Sequence, residues 1–115
     1  MNDIEVGEYV RTKTGRIFKI TAYDETQNKY HSVIEHVWNI IFPRDIIKHS
    51  KNIIDLIEVG DYVNGWKVLS IVTTLDKPEE IGFKFLGFDN LLFDINIKSI
   101  VTKEQFKQIE YIVEE

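Results

Sequence analysis

Three histidines, a scatter of carboxylates and four serines are the groups with which this chain could hold a metal or attack a substrate. His31 and His36 lie five apart, which sets them on opposite faces of a strand or across a turn, and His49 falls in another element. With no cysteine to complete a ligand set, they read as structural or surface histidines. A catalytic carboxylate pair needs two groups in one cleft with separated pKa values, and spacing singles out no such pair. Ser32, Ser50, Ser70 and Ser99 lack the flanking glycines of a nucleophile elbow. Gly60-Asp61-Tyr62-Val63-Asn64-Gly65 has two glycines but runs into a strand, so the amide cluster of a phosphate-holding helix start is missing. The expectation is a protein that binds without catalysing, with no cofactor and no metal.

Two sets of residues suit binding. Tyr9 and Tyr62 fall on the strand face opposite Val10 and Val63, so burying the valines exposes the tyrosines. Trp38 and Trp66, with Tyr30 and Phe88, sit near turns or strand ends, where rings stack on a ligand or anchor a partner. The same rings could instead seal a seam between two halves of the chain. The second set is the stretch from Ile46 to Asn52, the most basic in the chain. Its Lys48, His49 and Lys51, with Arg44 just before it, could donate to the anionic group of a nucleotide or phosphate, or simply form a solvated connector.

The elements that must position these residues come in two copies. Ile4-Glu5-Val6-Gly7-Glu8-Tyr9-Val10 recurs as Ile57-Glu58-Val59-Gly60-Asp61-Tyr62-Val63, with a single Glu/Asp exchange. Ile17 to Ile20 then aligns with Val68 to Ile71 across a two-residue deletion before Gly65, and Phe42 with Ile47-Lys48 aligns with Phe93 and Ile97-Lys98. The domains expected are a first repeat over 1–56 and a second over 57–115. The repeated acids, Glu8 and Asp61, suit turn amides better than acid/base chemistry.

Alternating apolar residues between turn signals predict short strands. In the first copy these are Glu5 to Lys13, Arg16 to Tyr23, Tyr30 to Ile34, Val37 to Phe42 and Ile46 to His49, with Thr14-Gly15 as the first turn. The second copy repeats the plan from Asp61 to Lys98, with Gly87-Phe88-Asp89-Asn90 as a hairpin turn. Thr102-Lys103-Glu104-Gln105 is a capping-box sequence, and with Phe106 and Ile109 it predicts one short helix over about 102–108. A last strand is expected at Tyr111 to Val113, with its first-copy counterpart at Ile53 to Ile57.

Five short strands opening on Val-Gly-Asp-Tyr-Val resemble the SH3-like barrels of tudor and ribosomal-type modules. The fold expected is mainly β: two tandem SH3-like small barrels or half-barrels packed as one unit, with one short helix near the C-terminus. Ile57 to Gly65 and the ending Ile100 to Val113 also resemble small uncharacterised proteins of phages and mobile elements of low-GC Firmicutes. That resemblance implies a setting in which short accessory proteins counteract host defence, and it implies no activity.

Composition agrees with that setting and narrows the partners. Eighteen isoleucines against the single Ala22, and eleven lysines against three arginines, favour A/T-rich codons. A net charge of −5 argues against gripping nucleic acid, since phosphate contacts need lysine and arginine to displace counterions. The longest apolar runs, such as Trp38 to Phe42, are far too short to span a bilayer, and the opening Asn2, Asp3 and Glu5 are not a signal peptide. A cytoplasmic location, in the host cell for a phage protein, is the expectation. The partner expected is a host protein whose surface is blocked or a small nucleotide ligand that is sequestered, giving a counter-defence inhibitor. The alternative is an assembly adaptor of a phage or replication complex. Exposed strand edges and the twinned tyrosines also point to a homo-oligomer.

Overall fold

The repeated motif is a turn before it is a strand. In a computed structural model that describes residues 4–77, 80–110 and 113, the Glu8 amide donates to the Glu5 carbonyl at 3.1 Å and the Asp61 amide to the Glu58 carbonyl at 3.0 Å. The third residue of each turn must then take positive φ, which glycine alone does freely; Gly7 has φ 100° and Gly60 φ 98°. Extended pairing therefore starts at Tyr9 and Tyr62, four residues later than the Glu5 expected for the first copy and one later than the Asp61 expected for the second. The chain divides into two compact units, Met1–Leu56 and Ile57–Glu115.

The first unit contains β1 (Tyr9–Thr12), β2 (Ile17–Lys19), β3 (Ala22–Asp24), β4 (Lys29–Ile34), β5 (Val37–Ile41) and β6 (Ile46–Ser50), with 3-10 turns at Pro43–Asp45 and Ile53–Leu56. They form two antiparallel three-stranded sheets, ordered β2-β1-β6 and β3-β4-β5. The predicted return strand Arg16 to Tyr23 serves both sheets, and it breaks where it changes partner. Ile20 still bonds the opening turn, its amide to Glu8 and its carbonyl from Gly7, both at 2.8 Å, whereas the next amide, Thr21, turns to His31 of β4. Val10, Phe18, Ile20, Tyr30 and Ile41 form the buried core, with Ile4, Tyr23 and Ile46 packed against it. Arg11 is buried too, its Nη1 donating to the Leu56 carbonyl at 2.9 Å.

The second unit contains β7 (Tyr62–Val63), β8 (Trp66–Thr73), β9 (Ile81–Phe85), β10 (Ile100–Val101) and α1 (Lys103–Ile109), in one four-stranded antiparallel sheet ordered β10-β7-β8-β9. Here the return strand stays continuous. It passes from β7 to β9 at a register shift between Val68 and Ser70, which bends the strand where the first unit interrupts it. Val63, Val68, Phe83 and Phe85 are buried. The protein is thus mainly β, and among the described residues there are several open sheets and one short helix near the C-terminus; no sheet of these closes into a barrel, and the architecture is consistent with half-barrels.

Several finer expectations are corrected. Val10 pairs with Phe18 and Val63 with Trp66, so the second hairpin is five residues shorter, not two, and Ile20 corresponds to Val68. The slip arose because Val68-Leu69-Ser70-Ile71 is apolar enough to align in either register. His49 faces Val10 and Ile100 faces Val63, one residue off the sequence alignment of Ile47-Lys48 with Ile97-Lys98. Ile53–Leu56 is a 3-10 turn and not a strand. The segment after Gly87-Phe88-Asp89-Asn90 forms no paired strand, only a bridge between Phe83 and Leu92. Thr102 caps α1 with both halves of the capping box made. In the expected final strand, Tyr111 and Ile112 lie outside the described residues.

Candidate functional site

The repeated carboxylates are structural latches. Glu8 Oε2 accepts from the Glu5 amide and its Oε1 lies 2.9 Å from His49 Nδ1 on β6. Asp61, wholly buried, accepts from the Glu58 amide at 2.8 Å and from the Lys103 amide at 2.9 Å, at the start of α1. Each acid therefore closes the opening turn with one oxygen and ties it to the end of its unit with the other. The hydrogen bond from His49, then that from the Glu5 amide, hold the Glu8 carboxyl below the usual glutamate range, against the opposing effect of burial. An ion pair reinforces each latch: Lys51 Nζ lies 3.2 Å from Glu5 Oε2, and Lys103 Nζ 2.8 Å from Glu58 Oε1.

These contacts bear on the basic segment. His49 and Lys51 face Glu8 and Glu5, Lys48 is exposed on β6 opposite Arg11, and the Arg44 guanidinium stacks on the Phe42 ring at 4.6 Å. Alternation along β6 sends Lys48 and His49 to opposite faces. Lys48 and His49 thus face apart, and His49 and Lys51 are engaged by the acids of the opening turn.

The aromatic residues are spread as well. Tyr9 is half-buried, with Lys19 Nζ 5.7 Å from its ring centre, while Tyr62 stacks on Phe106 of α1 at 4.7 Å and 25°. Burying Val10 and Val63 therefore does not leave both tyrosines open. Trp38 is 65% exposed on β5 and meets His31 edge-on at 5.5 Å; Trp66, half exposed on β8, meets Phe88 edge-on at 4.6 Å. His31 Nδ1 is buried beneath this contact with no hydrogen-bond partner among the described residues. Among those residues, too, no three histidine or carboxylate side chains gather as a metal site requires.

What the first unit does assemble is a cavity of about 240 Å³ beside the β1–β2 hairpin, lined by Thr12, Lys13, Thr14, Arg16, Phe18, Ile40, Ile41 and Asp45. Its frame is fixed by the hairpin. The Thr12 and Arg16 backbones pair at 2.9 Å, Thr12 Oγ1 lies 3.1 Å from Thr14 Oγ1 and accepts from the Arg16 amide, and the Lys13 amide donates to the Asp45 carbonyl at 2.8 Å. The Arg16 guanidinium lies over the Phe18 ring at 4.6 Å, a cation–π contact that holds it beside the apolar wall. Lys13 and Arg16 supply positive charge, the threonines supply hydroxyls, and Phe18, Ile40 and Ile41 supply a surface on which a ring can lie.

None of these eight residues belongs to the site predicted from sequence. They come from three separate stretches, 12–18, 40–41 and 45, and only the fold brings them together. One signal was present: the first hairpin is longer than the second. In the second unit Asn64-Gly65, with φ of 52° and 84°, makes a two-residue turn, so nothing corresponds to Lys13 through Gly15. Asn64 instead braces residues 96–99, its Oδ1 accepting from the Lys98 and Ser99 amides and its Nδ2 donating to the Asn96 carbonyl. The chain matches no family model, no curated protein and no solved structure.

Proposed function

We propose that this is a non-catalytic binding protein of a phage or mobile element, which sequesters a small anionic ligand of the nucleotide class and so disarms a host defence factor that depends on it. The observation that carries this reading is the first-unit cavity, where the cationic side chains of Lys13 and Arg16 stand beside threonine hydroxyls and the Phe18 and Ile40 wall. A ring resting on the apolar wall with a phosphate toward Lys13 and Arg16 would use both halves of that chemistry. The compositional bias toward A/T-rich codons supports the setting. The test is calorimetric titration with nucleoside monophosphates, cyclic nucleotides and inorganic phosphate. Saturable binding of a nucleotide, weakened at least tenfold by Arg16→Ala, supports the reading; no heat with any of them at millimolar concentration ends it.

A second reading, blockade of a host protein or an adaptor role in assembly, is favoured by a different observation. Val33, Ile34, Val37 and Trp38 are all exposed on the β4–β5 hairpin of the first unit, and a cluster of exposed apolar side chains marks a surface that binds protein. Loss of partner capture in Trp38→Ala, with nucleotide binding intact, would select this reading over the first.

A further inference from the structure

We infer that the first-unit cavity selects guanine nucleotides, with the Asp45 carboxylate reading the base while Arg16 and Lys13 hold the phosphate. This deepens the function proposed above and rests on it. Thr12, the last residue of β1, has a neighbour on each side. Its amide donates to the Arg16 carbonyl at 2.9 Å just before β2, and the next amide, Lys13, donates to the Asp45 carbonyl at 2.8 Å just before β6. Because β1 lies between β2 and β6, the backbones of Arg16 and Asp45 stand two strand spacings apart, about 9.5 Å. Both residues line the one cavity.

The side chains do not close that gap. Among the described residues, Lys13, Arg16 and Asp45 make no ion pair, and the Arg16 guanidinium rests on the Phe18 ring. Asp45 is half-buried, and its backbone groups are engaged, the amide on the Phe42 carbonyl at 3.0 Å and the carbonyl by Lys13. What it offers a ligand is therefore its carboxylate. A cavity with cations on one side, a carboxylate on the other and the Ile40 and Ile41 side chains between them fits a flat ligand with an anion at one end and donors at the other. An ionised carboxylate only accepts, through two oxygens. Guanine meets both, since its Watson–Crick edge presents two adjacent donors, the N1–H and the N2 amine. Adenine and cytosine set a ring-nitrogen acceptor beside their amine, and uracil flanks its N–H with two carbonyls. Each of these turns a lone pair toward the carboxylate, and that repulsion is what rejects them.

Calorimetric titration of the whole chain with the monophosphates of guanosine, adenosine, cytidine, uridine and inosine tests this assignment. Inosine is guanosine without the N2 amine, so it keeps one of the two donors. Guanosine monophosphate should bind about tenfold or more tightly than the adenosine, cytidine and uridine compounds, with inosine monophosphate between them. Asp45→Asn puts a donor in place of one acceptor oxygen and leaves the backbone bonds to Phe42 and Lys13 in place, so it should erase the preference. Arg16→Ala should instead weaken all five alike. The inosine comparison uses the wild type, so it decides the matter even if Asp45→Asn does not fold. Equal affinity for the bases, inosine binding as tightly as guanosine, or a guanosine preference that survives Asp45→Asn would each overturn the assignment while leaving nucleotide binding standing. No heat from any of the five would end the nucleotide reading and this inference with it.

Discussion

The two units start from nearly the same seven residues and end in different architectures. In the first, the return strand breaks at Ile20-Thr21 and serves two sheets; in the second, it continues as β8 through a register shift in a single sheet. The longer hairpin of the first unit frames a cavity, whereas Asn64-Gly65 closes the second unit tightly and Asn64 takes up the amides of residues 98 and 99. What the units share is the glycine turn and the acid that follows it. Backbone geometry at the start of a small β unit is thus held more strictly than the length of its hairpins, and freedom in hairpin length is what made room for the cavity.

The latches give the sharpest way to break this comparison. Asp61→Ala should be the most damaging change, because it strands the Glu58 and Lys103 amides in a buried site; about 3 kcal/mol is expected for two unsatisfied donors. Glu8→Ala strands the Glu5 amide alone, since His49 is partly exposed and can turn to water, and should cost about 1–2 kcal/mol. Urea titrations followed through Trp66 for the second unit and Trp38 for the first would check both, with Trp66→Phe and Trp38→Phe variants isolating each signal. Equal losses would mean that the two latches are equivalent despite their different partners.

Acid should separate the units further. The Glu8 pKa is lower folded than unfolded, so its latch stabilises the first unit fully at neutral pH and down to the ordinary glutamate value of about 4.5. That contribution then fades as pH falls through the depressed folded value. Glu8→Gln should flatten this acid limb in the first unit's urea midpoint plotted against pH; an unchanged limb would assign it to other groups. Thr102→Ala, which removes the buried hydroxyl that accepts from the Gln105 amide, should cost the second unit about 1 kcal/mol and leave the Trp38 signal in place. Smallest is Gly82→Ala on β9. Its new methyl would meet the Phe93 ring at 2.8 Å, but that ring is partly exposed and can swing aside, so a loss below about 1 kcal/mol is expected.

How much of this was legible in sequence depended on whether one residue type answers to one geometric need. The repeat was visible because positive φ in the opening turn demands Gly7 and Gly60, and because an acid must follow to hold the turn. The helix was visible because Thr102 and Gln105 are reciprocal partners at fixed spacing. The register of the return strand was not, since Val68 through Ile71 can slide by three residues and stay apolar. Nor was the loss of a fourth strand in the second unit: Leu91 to Ile97 carries strand-forming residues, yet Asp94 sits at φ 54°, which interrupts extended backbone. The cavity stayed hidden because Lys13, Arg16, Ile40 and Asp45 acquire a common meaning only after β1, β2 and β5 are placed. The predicted cluster of Arg44, Lys48, His49 and Lys51 counted neighbours along the chain, whereas strand alternation turns Lys48 and His49 apart and the two acids of the opening turn engage His49 and Lys51.

One consequence of the latches concerns how such a chain could arise. Because β1 lies beside β6, and β7 beside β10, each unit's polypeptide comes back to the strand on which its pairing began. A segment with neighbouring ends can be copied head to tail in a gene without a long connector, and the copies can then diverge in the hairpins between those ends while the junction itself stays fixed.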